Sequence, residues 1–139
     1  AVDFAEIPIL VEASDEGLGE ELAATARTLS RTVVAADSAL RARAHLAAVF
    51  VSNFANHMYA LGERLLGEAG LPFDLLRPLL AETARKALDA PSATEVQTGP
   101  AVRGDRPTQE RHEAMLADEA LRRLYSTISE SIWQTSRKR

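Results

Sequence analysis

From Ala44 to Gly62 the chain carries no lysine, arginine, aspartate or glutamate. The uncharged stretch lies inside one long helical pattern, from Ser38 to about Glu68, closed by Gly67 and Gly70. A helix so poor in charge must be surrounded on most sides by something other than water. Lipid is a poor candidate, because His45, Ser52, Asn53, Asn56, His57 and Tyr59 fall within the stretch. Such groups are costly in hydrocarbon. The surroundings expected are therefore protein, and no membrane is expected.

The polar residues of this helix are ordered. On a uniform wheel with His45 at zero, Ser52 falls near about −20°, Asn56 near about +20° and Tyr59 near about −40°. Phe50, Phe54, Leu61 and Leu65 fall between roughly 140° and 200° on that wheel. One face reads as packed core, the other as a neutral surface rich in hydrogen-bonding groups. A solvent face would carry Lys, Glu and Arg, so the stripe suits a pocket wall or a subunit interface. Each residue has a plainer reading too: His45 as a hydrogen-bonded structural histidine, Ser52 bonded to its own helix, Asn56 as a tie between helices. His57, off the stripe near about 120°, reads as a surface or structural residue. The three histidines lack metal-ligand spacing, so no metal is expected.

The rest of the chain frames this helix. Residues 7–13 and 32–36 read as short strands, the first with Pro8 at its start. Between them a helix capped by Ser14 or Asp15 carries Leu18, Leu22, Ala26 and Leu29 as an apolar stripe. Two parallel strands do not make a stable sheet alone, so this βαβ unit over residues 1–37 calls for further strands beside it. Residues 38–139 read as a separate helical domain. Pro78 should kink or restart a helix beginning near Pro72. Asp105 should cap another with Pro107 in its first turn, and a last helix from Asp118 should bury Leu121, Leu124, Tyr125, Ile128 and Ile132. The fold class expected is mainly α: a bundle around one long central helix, preceded by a short βαβ unit.

Composition narrows the function. The net charge of −4, with both signs scattered, offers no electrostatic case for nucleic acid. The basic cluster Arg137-Lys138-Arg139 reads as a cationic last helical turn. With no cysteine, disulfides and thiolate metal sites are ruled out.

The most specific segment is Gln97-Thr98-Gly99-Pro100-Ala101-Val102-Arg103-Gly104-Asp105. Its glycines and proline force turns, Arg103 is a fixed cation, and the helix opened by Asp105 could hold an anion on its free N–H groups. The plainer reading is a self-satisfied loop with Arg103 paired to a carboxylate.

Ala44-His45-Leu46-Ala47-Ala48-Val49-Phe50-Val51-Ser52-Asn53-Phe54, then Thr98-Gly99-Pro100 through Arg103-Gly104-Asp105, then Thr108 and His112, resemble one family across about Ile7 to Ile132. It is that of Rossmann-type oxidoreductases whose carboxy-terminal domain is catalogued as a domain of unknown function. In plan it is similar to pyrroline-carboxylate reductases and 6-phosphogluconate dehydrogenases. The resemblance implies a nicotinamide-dinucleotide domain upstream, missing from this chain, of which residues 7–37 would be the last βαβ. It also implies a helical domain that dimerises and supplies substrate-side residues. His45, Ser52, Asn53, Thr98, Gly99, Pro100, Arg103, Asp105 and His112 match the family pattern. The catalytic roles expected are general acid for His45, with Ser52 and Asn56, which share its helix face, orienting the substrate. Substrate binding is implied for Asn53, Thr98, Arg103, Asp105 and His112.

One departure is large. No Gly-x-Gly-x-x-Gly turn occurs, so no cofactor-binding residue is expected here, although NAD or NADP is implied for the full-length protein. The related dehydrogenases often pair a helix lysine with an asparagine, and His45 occupies the comparable region. The expectation is the substrate-binding and dimerisation part of an NAD(P)-dependent oxidoreductase, inactive alone, homodimeric and cytoplasmic, acting on an unknown small molecule. The alternative is a non-catalytic helical dimerisation module.

Overall fold

A computed structural model describes residues 3–137 of the chain. Lys138 and Arg139 of the carboxyl-terminal basic cluster lie outside the described residues. The chain divides into two compact units, Ala1–Pro72 and Phe73–Arg139. The long central helix thus belongs to the same compact unit as the βαβ segment. The fold is mainly α with one short parallel sheet.

In the first unit, strands β1 (Ile9–Val11) and β2 (Val33–Ala35) flank helix α1 (Glu16–Arg27). They pair in parallel, Ile9 opposite Val33 and Val11 opposite Ala35. Ile9 donates to the Thr32 carbonyl and Ala36 to that of Val11, each at 2.9 Å. Both strands are shorter than the β-branched runs suggest, and each is paired on one side only. Asp15 starts α1 by accepting from the Leu18 amide at 2.9 Å. The buried Ser30 hydroxyl donates to the Ile7 carbonyl at 2.6 Å and accepts from the Thr32 amide at 3.1 Å, tying the turn after α1 to both strands. Of the stripe expected on α1, only Ala26 is buried; Leu18, Leu22 and Leu29 stay exposed.

The central helix is α2 (Ser38–Ala48), a π-helical segment over Val49–Phe54, and α3 (Ala55–Glu68). Among the described residues its apolar face stays largely exposed. Phe50 is 61% exposed, Val51 79% and Phe54 49%. Phe50 and Phe54 meet only edge to face, with ring centroids 5.0 Å apart. Despite its lack of charge, no helix among the described residues is long and apolar enough to cross a membrane.

The second unit holds α4 (Arg77–Asp89), α5 (Pro100–Arg103), α6 (Arg106–Met115) and α7 (Glu119–Ser136). Pro78 acts as a restart: a 3-10 turn over Phe73–Leu76 gives way to α4, with the proline in its first turn, where no amide is required. Asp105 caps α6 and Asp118 caps α7. Leu121, Leu124, Tyr125, Ile128 and Ile132 form the half-buried face of α7. Trp133 extends it: the short α5 lies against α7, and Gly104 sits directly over the indole ring. Arg137 stacks on that ring at 5.3 Å.

Apolar burial is thin throughout. Among the described residues the buried hydrophobics are Ala26, Ala36, Ala101 and Leu116, and no large side chain is fully buried. The accessible surface is 10542 Å² for a 15.1 kDa chain. A compact monomer of that mass exposes about 7,100 Å², and two separate compact bodies of half the mass about 8,500 Å² together. However the two units are arranged, roughly 2,000 Å² of surface exceeds what closed bodies show.

Candidate functional site

His45 stands in the last turn of α2, exposed on a groove of about 590 Å³. Leu10 of β1 lines one side, and Ser38, Arg41, Ala42, Ala44 and Ala48 of α2 line the other. Helical spacing explains the set. Positions 38, 41, 45 and 48 recur every three or four residues, so they share the α2 face that looks over Leu10. Glu12, just past β1, holds the helix there. Its carboxylate accepts from the Ser38 amide at 2.8 Å and hydroxyl at 2.7 Å, and from Arg41 Nη1 at 2.7 Å. The Ser38 hydroxyl, then Arg41, keep the Glu12 carboxyl below its ordinary pKa.

Beyond Ala48 the uniform wheel fails. Each i→i+5 turn takes one more residue than an α-turn, so the segment Val49–Phe54 rotates everything after it back by about 100°. Asn56 leaves the His45 stripe for about −80°, and His57 takes the place near +20° that the uniform wheel gave to Asn56. Ser52 and Asn53 lie inside the turn that absorbs the extra residue, and both are exposed. The expected stripe of His45, Ser52 and Asn56 is therefore broken at the π-turn. π-Turns often mark functional positions in helices, and this one falls within the most polar part of the helix.

Thr98, Arg103, Asp105 and His112 belong to the second unit. Thr98 is exposed just before α5. Asp105 accepts from the Thr108 amide at 3.2 Å, so its own carboxylate fills the helix N-terminus where an external anion was expected. Hydrogen bonding from Thr108, with a smaller contribution from Arg103 and Arg111, lowers its pKa. Arg103 lies 4.0 Å from that carboxylate and is otherwise open to solvent. His112 Nδ1 is bonded to the Tyr125 hydroxyl at 2.9 Å, which ties α6 to α7. Asp105 and His112 thus have structural work, and Arg103 faces a partner of opposite charge.

Sequence reasoning missed Arg41, Glu12 and Trp133. Arg41 had a legible signal, one turn before His45. Glu12 had none, since its partners lie 26 and 29 residues away.

A second groove opens at the carboxyl ends of the strands, between β1, β2 and the start of α1. Its charged lining is Glu12, Asp15, Glu16, Glu20 and Asp37 against Arg27 alone. The turn there, Glu12 to Gly17, holds no glycine-rich cradle. Carboxylates at this position repel a pyrophosphate, so the residues present do not fit a dinucleotide. Among the described residues no group of His, Cys, Asp or Glu could hold a metal.

The sequence pattern of the family described as "Domain of unknown function (DUF2520)" matches residues 7–132. A crystal structure from Bacteroides fragilis, described as a "putative NADP oxidoreductase", is 49% identical, with a TM-score of 0.87. The match covers 96% of this chain and 51% of that one. A Thermotoga maritima protein of known structure is 24% identical, with a TM-score of 0.79 over 97% of this chain and 55% of that one, a likeness of fold. The chain therefore spans about half the length of these solved structures. No curated protein matches it.

Proposed function

The chain belongs to the family described as "Domain of unknown function (DUF2520)", and from that premise we propose that it is the substrate-side, dimerising part of an NADP-linked oxidoreductase. The observation that carries the reading is the 49% identity to the Bacteroides fragilis protein over 96% of this chain and only 51% of that one. The acidic lining at the strand ends supports placing the dinucleotide on another domain.

In this reading the bound nicotinamide supplies hydride. The role of this chain is to position the acceptor and move a proton. His45, exposed on its groove, donates a proton to the oxygen or nitrogen of a carbonyl or imine; imidazole suits that exchange at neutral pH. Ser52 and Asn53, at the π-turn, offer polar groups to the same substrate. The accessible position of His45 favours this over a module whose polar groups only fix helix packing. The exposed Leu46, Phe50, Val51 and Phe54 would be covered by a second copy, since obligate interfaces bury roughly 2,000–5,000 Å².

Calorimetric titration of NADPH tests the division of labour. The Bacteroides fragilis relative should bind it, and this chain at about 100 μM should show nothing tighter than millimolar, or about −4 kcal/mol. Micromolar binding by the chain, or none by the relative, would refute the reading.

A further inference from the structure

We infer that Arg41, one helical turn before His45, is the seat for the carboxylate of a small organic anion bound in the Leu10–His45 groove. Side chains at i and i+4 on a helix stand about 5–6 Å apart at Cβ, so a molecule only a few atoms long spans both. Glu12 lies outside the groove lining and grips Arg41 through Nη1 alone. Among the described residues Nε and Nη2 have no other partner, which leaves one edge of the fork for a planar oxyanion. The grip fixes the guanidinium in advance, so less side-chain freedom is lost on binding. Leu10, Ala42, Ala44 and Ala48 line the groove with apolar surface beside Ser38, Arg41 and His45, which suits a short carbon skeleton.

Arg103 is the rival cation, and the two differ in setting. Arg103 faces Asp105 at the mouth of a helix already capped by that carboxylate, whereas Arg41 shares its groove with an imidazole. Calling the anion a substrate rests on the proposed function; its binding through Arg41 does not.

The test uses the chain with isotope-labelled histidine and oxalate as the probe. The chain has three histidines, so His45, His57 and His112 are separately readable by nuclear magnetic resonance. Oxalate should shift the His45 signal saturably and leave His112 in place. Arg41→Lys keeps a cation for Glu12 and preserves the fold, yet loses the fork, and should weaken binding roughly tenfold. Arg41→Ala should weaken it roughly ten- to hundredfold, the range for a charge-assisted bond. Arg103→Ala should change nothing. An unchanged affinity in Arg41→Lys, a response at His112 instead of His45, or no saturation would overturn the assignment. No NADPH is present, so the outcomes separate: Arg41-dependent oxalate binding would survive a failure of the relative to bind NADPH, and the reverse holds equally.

Discussion

Replacing Gly104 by alanine tests how the Thr98–Asp105 segment is held. Gly104 has φ +66°, a left-handed conformation that costs an L-residue about 1–2 kcal/mol. A Cβ there would lie 3.0 and 3.1 Å from two carbons of the Trp133 ring. Forcing the indole aside adds a packing cost of about 1–3 kcal/mol. The expected loss is therefore roughly 2–5 kcal/mol. Gly70 is the internal control: its φ is +71°, and no atom lies within 4 Å of the methyl that an alanine would add, so Gly70→Ala should cost only the backbone part. Trp133 is the sole tryptophan, which makes its fluorescence a local reporter during urea unfolding. With a slope near about 2 kcal/mol per molar, Gly104→Ala should lower the midpoint by roughly 1–2.5 M. Trp133→Leu in the Gly104→Ala background, followed by circular dichroism, should recover part of the packing cost. A loss in Gly104→Ala no larger than the backbone part of about 1–2 kcal/mol would refute the close-approach argument and leave only backbone strain.

Two further outcomes follow from the exposed helix and the Glu12 cluster. The chain should be a dimer at tens of micromolar, and Phe50→Asp should make it a monomer with unchanged helix content, because each buried apolar side chain contributes about 1.5–3 kcal/mol; sedimentation equilibrium reads both, and a monomeric parent removes the claim. Glu12 has a lowered pKa in the fold, so its stabilising contribution is complete above about pH 4.5 and is lost as pH falls through the lowered value. Glu12→Gln should therefore melt lower than the parent at neutral pH and converge with it as the solution is acidified through the lowered pKa, whereas a difference that grows on acidification would contradict the sign.

Much of the chain was legible from local chemistry. Ser14-Asp15, Asp105 and Asp118 announced three helix starts, because a capping side chain acts on amides two or three residues away; in the first, Asp15 is the cap. Pro78 announced a kink or a restart for the same local reason, and the structure takes the restart. The two short strands and the βαβ order also followed from residue pattern, as did the half-buried face of α7. The family motif drew attention to His45, and helical spacing alone would have added Arg41 had the turn before it been read.

Tertiary structure decided the rest. Periodicity places Phe50, Phe54 and Leu65 on one face of a uniform helix but does not say whether that face is covered; all three are exposed. The π-turn could not be read from a uniform wheel, since one extra residue per turn leaves composition untouched while rotating Asn56 away and His57 in. Asp105 read equally well as a cap and as the mouth of an anion site until its bond to the Thr108 amide showed which role its carboxylate fills. Glu12 joined Ser38 and Arg41 only because parallel pairing brings the end of β1 beside the start of α2. Long-range juxtaposition is a property of the folded backbone, and no spacing rule along the sequence encodes it.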